Sequence, residues 1–526
     1  MSQTIKETPK TGLFIGQDGK NLAFTFVLVS SLFLLWGFCN GMIDVMDKHF
    51  QEELGLTKSQ SAWVQFAHYL GYFLMSMPAG WLASKLGYKG GIITGLLIVA
   101  AGGFWFIPAT SIAAFWAFLL GVCVIASGLT FLETVANPYT TVLGDPKYAA
   151  TRINLAQSCN GIGWIFGPIV GGLFFYSKNA AGVSTGSQTL YIPYVIVAVV
   201  VILIAAIFYF APVPDVKSAD EYHLEENTLA TAVIEDRQFS RGLVYLLLWL
   251  NSAVLIFACG MILWVIMSTA GVSEGTTNQL LWIGGPVALA IAAALLAPVA
   301  KKISPHSIWA HPHFSGATLA QFFYVAAQAG IFSFFINYMT SELPLIPQSW
   351  TTGMLKSWFE IGKTGVLHLS DQGASNMASV GLFCFLAGRF SGAGILRKYS
   401  AHKVLGLYGV VNVLICLIIF LKLGWLSVIC VFLSYFFMSI MFPTIFALGI
   451  FGLGARAKQA SSFIVMAIMG GAILPKLMGA VADKYDMSRG FIVPMVCFAF
   501  VAFYGLNWSN FSKTESMAGV TLGSGH

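Results

Sequence analysis

The sequence predicts an all-α polytopic membrane protein of fourteen spans, arranged as two six-helix halves with two further helices inserted between them. Three observations carry this expectation. The 526 residues are 57% apolar and only 10% charged, against about a quarter charged in a soluble domain. Apolar stretches that reach the roughly 20 residues a span requires recur along the chain. Under the resulting topology the Lys and Arg residues divide unevenly between the alternate links, 18 on one side and 8 on the other, as the positive-inside rule demands.

Taken in order, residues 1–21 are polar and lack the apolar core and cleavage site of a signal peptide, so they read as a cytoplasmic tail. A first half, 22–211, carries apolar segments near 22–47, 60–83, 90–109, 112–143, 153–176 and 190–211. The link 212–312 opens with a polar, acid-rich stretch and then holds two inserted spans near 242–269 and 279–299. A second half, 313–510, carries segments near 315–340, 374–396, 402–423, 425–452, 460–482 and 489–509, before a short tail, 511–526. An even number of spans puts both termini on one side. The links holding Lys85 and Lys89, Lys147 and Arg152, Lys301 and Lys302, Arg397, Lys398 and Lys403, and Arg456 and Lys458 place that side in the cytoplasm. The expectation is a multi-pass plasma-membrane protein, of the bacterial inner membrane. The stretch 341–373 then lies outside, where Trp350, Trp358 and Phe359 suggest a helix on the membrane surface, with an ordered polar loop as the alternative.

Composition and motif also exclude. The eight cysteines all sit in apolar stretches without a CxxC pair, which argues for packing and against zinc or disulfides. No basic run suits a nucleic acid, and the links contain no phosphate-binding GxxxxGK[ST] loop. With no metal cluster and no nucleophile–base pair in the pattern, the chain reads as neither enzyme nor ATPase. No cofactor is expected, and an ion gradient remains as the driving force.

An internal repeat organises the spans. Asn137-Pro138 through Gly144 matches Phe442-Pro443 through Gly449, each with Pro six residues before Gly. About 30 residues after the first Pro come Gly167-Pro168 with Gly171 in one half and Leu474-Pro475 with Gly479 in the other. The link Gly80–Lys89 likewise matches Gly394–Lys403. Two such halves about an axis along the membrane normal describe the major facilitator architecture, whose substrate sits at midplane between them.

A carboxylate at the bilayer centre costs about 2.5–3.5 kcal/mol on insertion scales, so the acids within membrane depth are informative. Only two are expected there, Asp44 in the first span and Glu133 in the fourth, and the repeat equivalent of Glu133 is Met438. Hydrocarbon favours their neutral forms, so each can carry a proton. The alternative is a carboxyl permanently protonated or paired with Lys476 or Arg389. Amides form a second constellation: Asn154, Gln157, Ser158 and Asn160 in span five, and Gln321, Tyr324 and Gln328 at helical spacing in the first span of the second half. Such groups both donate to and accept from hydroxyls and suit a neutral polyol, although they also serve as interhelical glue. Trp36, Phe38, Phe437 and Phe442 could stack on a sugar ring. His68 reads as a hydrogen-bonded structural residue and Arg389 as an anchor near the cytoplasmic end. Lys476, deep in its span, could snorkel, neutralise an acid or attract an anionic group.

The chain also resembles the fucose–proton symporter family of the major facilitator superfamily. The likeness lies in Leu132-Glu133-Thr134-Val135-Ala136-Asn137-Pro138, Asn154 to Asn160, Phe314 to Ala327, Gly388-Arg389-Phe390-Ser391-Gly392, Ser439 to Phe446 and Ser461 to Met466. That resemblance implies proton-coupled import of a neutral monosaccharide such as L-fucose, glucose or galactose. It further implies that Asp44 and Glu133 are the coupling carboxylates, that Gln157 and Asn160 contact sugar, and that Asn40 is the polar residue one turn before the aspartate. Ile43, Ser84 and Lys476 depart from the family pattern, and Lys476 raises an acidic or amino sugar as cargo.

Read together, these features predict a proton-driven sugar symporter working as a monomer by alternating access. Its partners are sugar, protons and membrane lipid. A sodium-coupled carrier and a non-transporting sugar sensor are the other readings.

Overall fold

The computed structural model describes residues 12–15, 19–53, 63–145, 148–175, 191–214, 241–269, 272–304, 307–344, 358–361, 367–369, 371–453 and 456–512. The first half consists of α1 (Ala23–Glu53), α2 (Trp63–Ile112), α3 (Phe115–Val142), α4 (Ala149–Phe175) and α5 (Tyr191–Phe210). The inserted pair is α6 (Arg241–Thr269) and α7 (Glu274–Lys302). Next come α8 (Pro312–Ser333), α9 (Phe335–Ser341), the strands β1 (Phe359–Ile361) and β2 (Leu367–Leu369), and α10 (Asp371–Leu396). The chain continues through α11 (Ala401–Phe420), α12 (Trp425–Met438), α13 (Met441–Ile450) and α14 (Ala457–Met466). It closes with α15 (Gly470–Lys484), α16 (Met487–Gly490) and α17 (Ile492–Ser512).

Among the described residues, eleven helices are long and apolar enough to cross a membrane, or twelve if the bent pair α8–α9 is one span. This is fewer than the expected fourteen, for a local reason. The stretch Phe66–Ile112 of α2 is 47 residues long and covers two expected segments. They join at Gly87, whose φ of 72° breaks the helix without ending it, a conformation glycine adopts at no steric cost. Helix α4 also covers an expected segment but is not among the eleven.

Helices α1 and α4 pack backbone to backbone. A Cβ on Gly37 would lie 2.0 Å from the Asn160 carbonyl oxygen, and one on Gly163 would lie 2.2 Å from that of Leu34. In a bilayer, where lipid removes most of the hydrophobic drive between helices, small residues supply this close approach. The contact sets Asn40 on α1 beside Asn160 on α4. Gly163→Leu is therefore expected to abolish folded yield, measured as monodisperse protein after detergent extraction, whereas Gly284→Leu on α7, with nothing within 4 Å of its Cβ position, should extract normally.

The inserted helices stand at the periphery. They pack on each other and, through α6, on α8; none of the most apolar window of α7 is buried, as befits a helix surrounded by lipid. Asn251 Nδ2 donates to the Ser315 carbonyl at 3.0 Å and ties α6 to the second half.

Arg152, counted above among the cytoplasmic positive charges, is completely buried. Its guanidinium donates to the carbonyls of Thr140 and Thr141 at the end of α3, of Asp145, and of Leu13. Helix C-termini leave such carbonyls unpaired, and the arginine gathers them with a piece of the N-terminal segment. The expected tail is thus partly packed, with Phe14 against Phe26 at 4.8 Å.

Three further expectations change. Within the stretch 341–373, expected to hold a surface helix, Phe359–Ile361 and Leu367–Leu369 form an antiparallel ribbon that pairs Phe359 with Leu369; Trp350 lies outside the described residues. The repeat-matched glycines also differ locally, since Gly144 has φ 145° in a turn and Gly449 lies inside α13. Of the cysteines expected to pack, Cys259 is exposed.

The links after α9, α11 and α15 meet in an ion cluster. Lys422 Nζ lies 3.0 Å from Glu342 and 3.1 Å from Asp486, while Asp486 also caps the N–H of Arg489. Partial burial opposes the charged forms, but the hydrogen bonds prevail: Asp486 is held below its ordinary value and Lys422 above its own. The stabilisation from Asp486 is present above the ordinary carboxylate value of about 3.9 and fades as pH falls through its lower folded value. That from Lys422 is present below about 10.4 and fades as pH rises through its higher folded value. Because the Lys422 side chain is 43% exposed, Lys422→Met should cost under about 1 kcal/mol. Thermal unfolding should show that deficit at neutral pH and none in strong acid.

Candidate functional site

A cavity of about 140 Å³ lies between the two halves. From the first half its wall takes Trp36, Asn40 and Ile43 on α1, His68, Tyr69 and Tyr72 on α2, and Asn160, Gly161 and Trp164 on α4. From the second half come Val325, Gln328, Ala329 and Phe332 on α8, Leu382, Phe385 and Arg389 on α10, Phe442 on α13, and Ile468. Aromatic faces with a few amides between them are the composition of a small-molecule site. Trp36 donates its indole N–H to the Tyr72 hydroxyl, and its ring lies 6.3 Å from Phe442 across the cavity.

Behind the wall runs a file of amides. Asn160 Nδ2 donates to Gln157 Oε1 at 3.1 Å, and Gln157 Nε2 donates to Asn137 Oδ1 at 3.0 Å. Asn137 stands one turn after Glu133 on α3, so the file links the cavity wall to the helix of the buried acid. Glu133 is 2% exposed, and neither carboxyl oxygen has a hydrogen-bond partner. Its polar neighbours, both in the cavity wall, are the Tyr72 hydroxyl, which approaches it as a donor short of a well-formed hydrogen bond, and Arg389, which acts through its charge. An unpaired buried carboxyl is expensive when ionised and tolerable when protonated.

Arg389 is the cationic member of the site. It donates Nε to the Ser439 carbonyl at 3.0 Å and, across to the first half, Nη1 to the Gln157 carbonyl. Its guanidinium lies 4.6 Å from the centre of the Phe385 ring. The sequence reading placed it near the cytoplasmic end as an anchor; it does bind carbonyls, but at the cavity. It lies seven residues, about 10 Å, inside the end of α10.

The sequence profile of the Major Facilitator Superfamily matches residues 25–346. The chain belongs to that superfamily. It is 30% identical to the L-fucose-proton symporter of Escherichia coli (strain K12) over 92% of this chain and 93% of that protein. It is 28% identical to the glucose/galactose transporter of Brucella abortus biovar 1 over 93% and 94% of the two chains. Among solved structures, the major facilitator transporter FucP in the outward conformation superposes with a TM-score of 0.64 at 30% identity, over 92% of this chain and 98% of that one.

Within this major facilitator chain, the residues expected at the site separate into two layers. Asn40, Asn160 and Gln328 line the cavity. Gln157, Gln321 and Tyr324 are completely buried and stand behind the wall; the amide of Gln321 and the hydroxyl of Tyr324 have no hydrogen-bond partner. The helical stripe on α8 thus delivers one residue of three to the cavity. His68, expected to be a hydrogen-bonded structural residue, lines the cavity, and its Nδ1 has no hydrogen bond. Asp44 and Lys476 stand on α1 and α15, but their side chains lie outside the described ones. Phe38 and Phe437 pack against the core and are absent from the wall. Among the described residues, no group of His, Cys, Asp and Glu could hold a metal ion.

Proposed function

We infer that the protein is a proton-coupled symporter that imports a neutral monosaccharide, of the L-fucose, glucose or galactose type, by alternating access. The observation that carries this reading is the unpaired Glu133 carboxyl, set behind a wall of amides and aromatics at the junction of the halves. Asn160 Oδ1, which is unpartnered, and Gln328 offer hydrogen bonds to sugar hydroxyls, while Trp36 and Phe442 offer faces to the ring. The names of the two relatives, one a fucose–proton symporter and one a glucose/galactose transporter, support both cargo and ion. Asp44 is the second candidate for the proton, and Gln157 holds Asn160 in place. The reading requires no cofactor and no second subunit, and it keeps both termini in the cytoplasm by the positive-inside rule.

The described conformation supports a state closed toward the cytoplasm. Ser461 Oγ donates to the Thr134 carbonyl at 2.6 Å, and Asn154 Nδ2 donates to Thr444 Oγ1 at 3.3 Å. Lys458 Nζ sits 4.2 Å from the centre of the Tyr88 ring, beside the basic links. These contacts join the halves below the cavity, Arg389 on Gln157 joins them at its wall, and all have to part for release.

Proteoliposome uptake of labelled L-fucose, glucose and galactose, with an inside-alkaline gradient and with or without sodium, tests the reading. Accumulation that follows the pH gradient regardless of sodium is expected; uptake driven by sodium alone overturns it. Asn160→Ala should weaken binding of the transported sugar about tenfold, the worth of a hydrogen bond at about 1.4 kcal/mol, as read by calorimetry.

A further inference from the structure

A second cleft, of about 370 Å³, lies away from the sugar cavity, where the inserted pair meets the transporter core. Its walls come from α6 (Leu248, Ala258), α7 (Leu296), α8 (Phe322), the Met469 turn and, from the first half, Phe73 on α2. Along α6 it extends from Leu248 to Ala258, about 15 Å of helix.

Two features decide what fits. The first is that Asn251, Thr318 and Ser307 in its wall already bond within the protein, which leaves the small hydroxyl of Ser252 among otherwise apolar surface. Asn251 donates to the Leu247 and Ser315 carbonyls, Thr318 to the Phe314 carbonyl, and Ser307 accepts from the Trp309 N–H. An occupant therefore needs to supply mainly apolar surface. The second is charge. The end of the cleft near Leu248, Val299 and Ile303 lies beside the start of α6 at Arg241 and the end of α7 at Lys301 and Lys302, all three exposed. Neither Arg241–Trp264 nor Gly275–Lys302 contains an Asp or Glu. By the positive-inside rule this end faces the cytoplasmic leaflet, where basic groups at the membrane surface attract anionic headgroups.

We propose that this cleft binds the acyl chain of an anionic phospholipid of the cytoplasmic leaflet, with Lys301 and Lys302 holding its headgroup. The bound chain touches both halves and the inserted pair at once, so it fills the seam between the added helices and the moving core. The sugar site takes no part in this binding.

Native mass spectrometry of the full-length protein, exchanged into palmitoyl-oleoyl phosphatidylglycerol or the matching phosphatidylcholine, provides the test. The wild type should retain one phosphatidylglycerol in preference to phosphatidylcholine. Ser252→Phe and Ala258→Phe, which fill the cleft, should lower retention at least about tenfold. Lys301→Glu combined with Lys302→Glu, both at exposed positions, should keep a lipid but lose about tenfold or more of the headgroup preference. This second pair keeps the proposal open to refutation if the filled variants do not fold. Equal retention of both lipids by the wild type overturns it. So does unchanged retention in folded filled variants, or a dimer that the fillings convert to monomer without loss of lipid.

Discussion

Glu133→Gln should still bind sugar and exchange it across the membrane, while losing the power to concentrate it. The carboxyl lies buried with both oxygens unpartnered, and the amide of glutamine has the shape of a protonated acid and keeps a donor. The substitution therefore holds the site in the proton-loaded form without opening a void. For one proton per sugar, each pH unit across the membrane is worth about 1.4 kcal/mol, or about tenfold accumulation. The variant should equilibrate at a ratio near one under the same gradient. Counterflow of labelled sugar, which needs no net proton movement, should remain near the wild-type rate. Uphill uptake that persists in the variant would assign the coupling proton to another group, with Asp44 the first candidate.

Arg389→Met should shift the balance between the two faces of the transporter. The arginine is 4% exposed and binds one carbonyl on each side of the junction, Ser439 in its own half and Gln157 in the other. Removing it strips both carbonyls of a charged donor and takes the nearby cation from Glu133. Breaking a buried charge-assisted contact of this kind costs about 3–5 kcal/mol, a shift of roughly a hundredfold or more in an equilibrium constant. Part of that penalty disappears when the halves separate and water reaches Gln157, so the cytoplasm-closed state should lose population. Maleimide labelling of Ala460→Cys, a position completely buried in α14, reads that population. Labelling should accelerate strongly in Arg389→Met and to an intermediate degree in Arg389→Lys, which keeps the charge but loses the planar fork. Equal labelling rates in all three proteins would show that the arginine does not hold the junction closed.

The sequence revealed most where the bilayer makes polarity costly. Glu133, Asn160 and Gln328 stood out because hydrocarbon tolerates few such groups, Asn40 came from the family resemblance, and the structure places each in or directly behind the cavity wall. The six-plus-six frame was legible from the order of its glycines and prolines. Helical spacing was weaker at deciding which residue of a stripe reaches the cavity: Gln321, Tyr324 and Gln328 share one face of α8, yet only Gln328 emerges, because the helices packed on α8 cover the other two. Arg152, counted as a topology signal because it sits near the end of an apolar segment, is instead buried by the backbone carbonyls it collects. The pairing of Phe359–Ile361 with Leu367–Leu369 was hidden by aromatics that fit a surface helix equally well.

Two of the bonds that join the halves share a polarity of origin. Ser461 and Arg389, both in the second half, donate to the main-chain oxygens of Thr134 and Gln157 in the first. Main-chain oxygens persist under almost any substitution, so sequence drift in the first half leaves these two grips intact as long as its helices keep their course. A chimaera joining the second half of this protein to the first half of a relative should inherit them without redesign, which makes the junction a natural cut site for recombining cargo preference with coupling.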